Sequence, residues 1–289
     1  MESVKIKGGK FLMGSPSDEG HPLDYESPQV EVTIEDFEMD TTPVTNASFA
    51  EFVQETGYMT ETEVFGGSFV FKLLLTEEQL ADLEAYEVMG TPWWVYVEGA
   101  NWKEPEGEGS TIAHRMDHPV VHVSRRDALA YCKWAGKRLP TEAEREYAAR
   151  TGVEGMYPWG DNLVDNGKHA CNIWQGDFPK LNTEEDGFLG TAPVITYEPN
   201  KFGLYQVIGN VWEWCLNPSG IPLTDFSKKP SKFYQEKYSE INTGAYAAKG
   251  GSFLCHSSYC NRYRLGARNG NDGDSSASNI SFRCCKSLN

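Results

Sequence analysis

The sequence predicts a single domain of mixed α and β structure, in which short strands and helices are separated by long irregular segments. Apolar residues alternate near the amino terminus, as in strands, whereas later segments carry helix-capping signals. The 28 glycines and 15 prolines favour turns over long regular elements. Because no repeat, low-complexity tract or linker divides the chain, we expect one domain over residues 1–289.

Strands are predicted at the amino terminus and irregular chain after it. Apolar residues in 4–13 and 30–34 alternate with polar ones, which indicates two antiparallel strands joined by an acidic loop at 18–26. We expect residues 57–120 to be rich in loops anchored by tryptophans, with a short helix near 76–86.

Three segments, 45–57, 124–136 and 141–152, predict helices. Each begins at a serine or threonine and ends near a glycine, as helix caps do. Thr141 with Glu144 three residues later forms a capping box, which strengthens the third prediction.

Charge and hydropathy exclude two classes of partner. The formal charge of −16 argues against nucleic acid, whose phosphates require a basic surface. No run of eighteen apolar residues is present, so we expect no membrane span. The first residues lack the apolar middle of a signal peptide, so we expect a cytoplasmic protein, or a secreted or ER-lumenal one if a signal was removed.

The most informative feature is a pair of cysteines, Cys255 and Cys260, in a segment rich in glycine, serine and arginine. Such a pair can form a disulfide, hold zinc together with other ligands, or hold a soft ion such as Cu(I). The chain has seven cysteines, so at least one thiol stays unpaired within it. Elsewhere, Asn172 and Asp186 offer oxygen ligands for a hard cation, although such turns are also common without metal.

A series of sequence blocks extends this observation over nearly the whole chain. They are residues 8–14, 118–124, 135–144, 170–176, 203–205, 209–214, 250–260, 274–279 and 282–284. In this order they resemble the formylglycine-generating enzymes, also called sulfatase-modifying factors. The block Gly-Gly-Ser-Phe-x-Cys-His-x-Ser-Tyr-Cys at 250–260 is the narrowest of these signatures, whereas the blocks at 135–144 and 209–214 occur throughout the superfamily.

The resemblance implies an enzyme that converts a client cysteine to formylglycine. Cys255 and Cys260 would bind Cu(I), with the client thiol as third ligand, and Ser252 would lie beside them. Trp212, His256 and Tyr259 would shape the substrate pocket. The implied partners are a sulfatase-type polypeptide containing Cys-x-Pro-x-Arg, O2 and a thiol reductant, and we expect a monomer.

The resemblance also implies two calcium sites and a disulfide. The first calcium site would use the side chains of Asn172 and Asp186 with the carbonyls of Ile173 and Phe188. The second would use Gln206, Gly209, Val211 and Glu213. The disulfide would join Cys132 to Cys284. Gln206 stands where an asparagine is usual, which places the second site in question. No role follows for the thiols of Cys171, Cys215 and Cys285, which we interpret as buried and inert.

The implied fold is a single α+β domain similar to C-type lectins, with little regular structure and a twisted antiparallel sheet as its core. Arg125 and Arg145 replace tryptophans usual at those helix positions, and we expect weaker packing there. Two alternatives stay open. One is a non-catalytic lectin-like or chaperone member of the superfamily, and the other is an iron-dependent member related to sulfoxide synthases.

Overall fold

The computed structural model of the protein describes residues 1–16, 20–81, 83, 87–165, 167–241 and 243–288. Its helices are α1 Asn46–Thr56, α2 Glu61–Phe65, α3 Glu77–Ala81, α4 Arg125–Trp134, α5 Glu142–Arg150, α6 Leu223–Phe226 and α7 Ser231–Tyr238. Its strands are β1 Ser3–Ile6, β2 Gly9–Met13, β3 Val30–Ile34, β4 Phe37–Asp40, β5 Gly67–Phe71, β6 Glu87–Val88, β7 Thr91–Glu98, β8 Val164–Asp165, β9 Lys168–His169, β10 Gly176–Asp177, β11 Leu181–Asn182, β12 Trp212–Pro218, β13 Ala245–Lys249, β14 Asn269–Asp272, β15 Ile280–Ser281 and β16 Cys285–Ser287.

Small sheets, nearly all antiparallel, form the framework. The largest has the order β14-β13-β12-β15, and β15 pairs with β12 in parallel. Two three-stranded sheets, β1-β4-β16 and β5-β7-β6, lie in the same fold. The α+β prediction with a mainly antiparallel sheet core is confirmed. The four-stranded sheet matters most for function, because the cysteine pair follows β13 directly.

The three predicted helices are present, and their caps explain where they begin. The Thr45 side chain accepts a hydrogen bond from the Ser48 backbone at the start of α1. Both α4 and α5 begin with reciprocal capping boxes, and that of α5 is the predicted pair Thr141 and Glu144. Such caps satisfy backbone N–H groups that the first helical turn leaves unpaired.

The amino-terminal strands divide between two sheets. As predicted, β2 and β3 pair in antiparallel fashion. Val4 and Ile6, however, lie in a separate strand, β1, that pairs with β4. Gly8 explains the break, because a Cβ there would lie 2.1 Å from the Ile34 carbonyl oxygen. Residues 18 and 19 of the predicted acidic loop lie outside the described residues.

The expectation of loops throughout residues 57–120 was wrong for its first half. Strands β5 and β7 form an antiparallel pair, and Trp93 and Trp94 lie on β7. The run Trp-Trp-Val-Tyr-Val has high strand propensity, which outweighs the nearby proline and glycines. Helix α3 confirms the start of the helix predicted near 76–86, of which residues 82 and 84–86 lie outside the described residues.

Arg125 and Arg145 do not weaken the packing as expected. Both are almost completely buried. Arg125 donates to the carbonyl oxygens of Leu216 and Tyr238 at 2.8 and 2.7 Å, and its guanidinium lies 3.6 Å from the Tyr246 ring centroid. A buried cation needs hydrogen-bond partners, and these carbonyl oxygens and the aromatic ring supply them for the terminal part of the Arg125 guanidinium.

Candidate active site

A turn at two glycines after β13 directs the segment that carries the two cysteines into the protein interior. Gly250 and Gly251 have φ values of +102° and +75°, a region that residues with a Cβ rarely adopt. A Cβ on Gly251 would also lie 3.1 Å from Tyr263. The chain then turns twice more, with the Cys255 backbone N–H donating to Ser252 and that of Cys260 donating to His256. Cys255 and Cys260 consequently face each other.

The two sulfurs are in contact inside the protein. Cys255 Sγ and Cys260 Sγ are 2.8 Å apart, and both residues are free cysteines in this structure. The Ser252 backbone N–H points at Cys255 Sγ from 3.4 Å. The sequence prediction of two converging thiols therefore holds geometrically, and the pair presents the soft donors that select Cu(I).

The sulfurs line a cavity of about 380 Å³. Its apolar wall is contributed by several strands, and its polar wall by β14 and the segments before and after it. The lining residues are Phe69, Val88, Trp94, Trp212, Ser252, Leu254, Cys255, Tyr259, Cys260, Arg262, Asn269, Asn271, Ser275, Ser276, Ala277 and Asn279. A cleft with aromatic walls and a few convergent polar groups is the usual form of a substrate site.

Ser252 is held in a fixed position beside the thiols. Its hydroxyl accepts a hydrogen bond from Asn279 Nδ2 at 2.9 Å, and Ser252 is fully buried. The Asn279 backbone carbonyl in turn accepts from Trp212 N–H at 2.9 Å. Sequence reasoning predicted Ser252 and Trp212 and missed Asn279, although it lies in one of the resembling blocks.

Arg262 is a second site residue that sequence reasoning missed. Its guanidinium forms a bidentate ion pair with Asp24, at 2.6 and 3.0 Å, and its positive charge lies beside the Cys260 sulfur. The pKa of Cys260 is lowered, first by the hydrogen bond from Cys255 and then by Arg262, whereas burial raises the pKa of Cys255. The pair can therefore carry one thiolate and one thiol.

The predicted pocket residues have different outcomes. Trp212 and Tyr259 line the cavity, and the Tyr259 ring stacks on Phe178 with centroids 4.4 Å apart. The structure does not place His256 in the lining. The His256 ring is hydrogen-bonded to the Ser258 hydroxyl at 2.8 Å instead.

The first predicted calcium site has donors that fit the ion. Asn172 Oδ1 is buried and has no hydrogen-bond partner within the described residues. The Ile173 carbonyl and Asp186 Oδ2 both accept from the Gln175 amide, so these two oxygens converge. Burial raises the pKa of Asp186, a cost that a bound cation would relieve. Phe188 is adjacent, with its N–H donating to Asp186 Oδ1 at 3.1 Å.

The second predicted calcium site does not fit a cation. Both carboxylate oxygens of Glu213 are bonded to arginine side chains, and Gln206 Oε1 accepts from Asn210. Gly209 and Val211 lie in the turn that leads into β12, but the side-chain donors of the set are already occupied.

The remaining cysteines are buried. Cys132 Sγ and Cys284 Sγ lie 3.4 Å apart and are not bonded in this structure, so the predicted disulfide stays a prediction. Burial raises the pKa values of Cys171, Cys215 and Cys285, which favours the neutral thiol that we expected. Across the described part of the chain, no three His, Cys, Asp or Glu side chains converge as metal ligands, and no helix is long and apolar enough to cross a bilayer.

The fold and the cavity define an α+β protein with a cleft lined by two thiols, and comparison identifies its family. Residues 1–288 match the family model for the sulfatase-modifying factor enzyme 1-like domain. The chain therefore belongs to the FGE-sulfatase family, as the sequence blocks predicted.

Curated relatives agree with this assignment, and a solved structure shares the fold. The chain is 50% identical over 282 residues to a formylglycine-generating enzyme of Streptomyces coelicolor, covering 97% of this chain and 88% of that protein. It is 42% identical to the inactive Cα-formylglycine-generating enzyme 2 of Bos taurus, covering 97% and 86% of the two chains. The structure of PvdO from Pseudomonas aeruginosa shares the fold, with a TM-score of 0.65, 24% identity and 99% and 94% coverage.

Proposed function

We propose that this protein is an oxidase that converts a cysteine in a client polypeptide, of the sulfatase type, to formylglycine. The observation that carries the proposal is the contact between Cys255 and Cys260 at the wall of a cavity of about 380 Å³. Family membership alone is not sufficient, because one of the relatives is named inactive. A scaffold without chemistry has no need of two convergent thiols with a guanidinium beside them.

The thiol pair suits a monovalent copper ion. Cys255 and Cys260 would hold Cu(I), and when bound the ion would supply a centre where the client thiol and O2 meet. Arg262 favours the thiolate form at Cys260 by its positive charge. Ser252, held by Asn279, offers a hydroxyl next to the reacting groups.

The overall reaction balances with a thiol reductant. The client side chain CH2–SH, one O2 and two reductant thiols give the aldehyde CHO, hydrogen sulfide, a reductant disulfide and water. The client β-carbon loses a hydrogen and its bond to sulfur, and it gains one oxygen atom. The second oxygen atom leaves as water, with electrons from the two thiols.

The cavity walls favour an extended client segment. Phe69, Trp94 and Trp212 provide an apolar wall that suits the proline of Cys-x-Pro-x-Arg. Asn269 and Asn271 project from β14 along the other wall and can hydrogen-bond a peptide backbone. The chain's formal charge of −16 favours a client that carries arginine.

We also propose that calcium binds the first site. The free Asn172 oxygen and the convergent oxygens of Ile173 and Asp186 are hard donors of the kind that calcium prefers. The Cys255 carbonyl accepts from Trp174 N–H at 3.1 Å, so this segment lies against the cysteine turn. Calcium bound there would therefore stabilise the segment that packs against the cysteine turn.

The test is incubation of the protein with Cu(I), O2, a thiol and a peptide containing Cys-x-Pro-x-Arg. We expect the peptide mass to fall as sulfur is replaced by oxygen, and an aldehyde-specific probe to label the product. A peptide with serine in place of the cysteine is the matched control and should stay unchanged. If no aldehyde forms while Cu(I) is bound tightly, the enzymatic proposal fails and the non-catalytic alternative stands.

A further inference from the structure

Glu213, on β12, is the centre of a buried cluster of charges. Its Oε2 accepts from Arg145 Nε and from Arg283 Nε, both at 2.8 Å. Its Oε1 accepts from Arg283 Nη2, also at 2.8 Å. All three side chains are 2% exposed or less. This carboxylate is the only acidic donor in the second calcium site implied by the family resemblance.

The other groups around this position are also occupied. Arg145 Nη2 donates to the Val207 carbonyl at 2.8 Å, and Arg283 Nη2 donates to the Tyr205 carbonyl at 2.8 Å. The Gln206 side chain donates to the Pro193 carbonyl at 2.6 Å and accepts from Asn210. The turn that would surround a metal ion is thus held in place by hydrogen bonds from these side chains.

The charges oppose a divalent cation. One carboxylate faces two positively charged guanidiniums. Adding Ca²⁺ would place two further positive charges within a few ångströms of both arginines, in a region of low dielectric constant where like charges repel strongly. Glu213 would also have to release at least one arginine, which would leave a buried cation unpaired.

We propose that the Arg145 guanidinium takes the place of calcium at this position, so that the second site is closed to metal in this chain. A tryptophan, the residue expected at 145, carries no charge and would leave Glu213 with Arg283 alone. Arg145, on helix α5, instead hydrogen-bonds Glu213 on β12 and the Val207 carbonyl in the turn before it. The positive charge at this position therefore belongs to a side chain and not to a bound ion.

The substitution has a consequence for the cysteine turn. A Cβ on Gly250 would lie 3.5 Å from Arg145 Nη2, so the guanidinium lies directly beneath this turn. The Gly250 carbonyl also accepts from Gly209 N–H at 2.8 Å. The packing beneath the cysteine segment is therefore independent of calcium at the second site. At the first site it can still depend on bound calcium.

Calcium titration of the chelator-treated protein tests the inference without use of activity. We expect isothermal titration to give no more than one calcium per wild-type chain, and none for Asp186→Asn, which disables the first site. Calcium binding by Asp186→Asn that disappears on adding Glu213→Gln would overturn the proposal.

A second variant tests the role of Arg145 directly. In the Asp186→Asn background, Arg145→Gln should create calcium binding and a rise in melting temperature of several degrees on adding calcium. Arg145→Lys, which keeps the charge, is the matched control and should gain neither. A folded Arg145→Gln protein that binds no calcium would also overturn the proposal. If this variant does not fold, the stoichiometry of Asp186→Asn still decides.

Discussion

Two pairs of cysteines in this protein have similar geometry and very different surroundings. Cys255 and Cys260 are five residues apart with sulfurs at 2.8 Å, whereas Cys132 and Cys284 are 152 residues apart with sulfurs at 3.4 Å. The first pair lines a cavity and lies beside the positive charge of Arg262, while the second lies between helix α4 and the residue just before β16.

The comparison shows that sulfur separation does not assign a role. Bridging the first pair would close a very short loop and stabilise little, whereas bridging the second would restrict most of the chain. Burial and the neighbouring Cys132 raise the pKa of Cys284, which keeps it a thiol unless it is oxidised. The first pair is suited to chemistry and the second to stability.

The largest effect should come from removing either thiol of the first pair. Cys255→Ser or Cys260→Ser should lower the kcat/KM for aldehyde formation by at least about 10⁴-fold, because two ligands act as one unit, and the double variant should be no worse. Peptide mass spectrometry measures this. Cys132→Ser is the matched control, and equal losses in all three variants would erase the distinction between the pairs.

Oxidation should stabilise the protein through the second pair. In the chain-entropy description, a Cys132–Cys284 disulfide would raise the free energy of unfolding by about 5 kcal/mol. Denaturation of oxidised and reduced protein measures the difference. The effect should vanish in Cys284→Ser and persist in Cys255→Ser, and the reverse pattern would contradict our assignment.

Acid should destabilise the wall behind the cavity. Burial lowers the pKa of His122 to about 3, and its ring contacts the Ser68 hydroxyl, which in turn contacts Ser276 in the cavity lining. Between pH 6.5 and 3 the unfolded chain binds a proton there that the folded chain does not. The unfolding free energy should therefore fall as pH is lowered, by about 5 kcal/mol in all.

A variant at this position separates the histidine from other acid effects. His122→Asn suits the residue's φ of +59°, since asparagine tolerates that region. Urea denaturation from pH 7 to 4 should show a shallower loss of stability in His122→Asn than in wild type. An unchanged slope would show that His122 does not carry the acid sensitivity.

The smallest effect should come from the charge beside the first pair. Arg262→Gln should lower kcat/KM by about 10 to 100-fold, the value of a charge-assisted hydrogen bond, with little change in melting temperature. Arg126→Gln, at an exposed arginine, is the control. No change in Arg262→Gln would show that the contact with Cys260 is incidental.

Most of the helices could be predicted from the sequence, whereas the pairing of strands into sheets could not. Capping residues such as Thr45 and Thr141 act on their own helix, so the helix starts were predicted correctly. The hairpin of β5 and β7 was missed because its strands are separated by a turn-rich insertion and pair only through the tertiary fold. The same holds for β1, which pairs with β4 after Gly8 breaks the first strand.

The candidate site divides in the same way. Cys255, Cys260 and Ser252 lie in one short motif, so their proximity follows from the local chain. Arg262 gains its partner from Asp24, more than two hundred residues away, and no local pattern predicts this contact. His256, although inside the motif, turns to Ser258 and not to the cavity.

The sequence by itself determined the family, the helix caps and the short cysteine motif, because these depend on neighbouring residues and backbone conformation. Only the tertiary structure decided that Arg145 and Arg283 pair with Glu213 while Asn172 Oδ1 has no hydrogen-bond partner among the described residues. The physical reason is that a buried charge must be paired by whichever group reaches it, and distant segments supply that group only when the chain has folded.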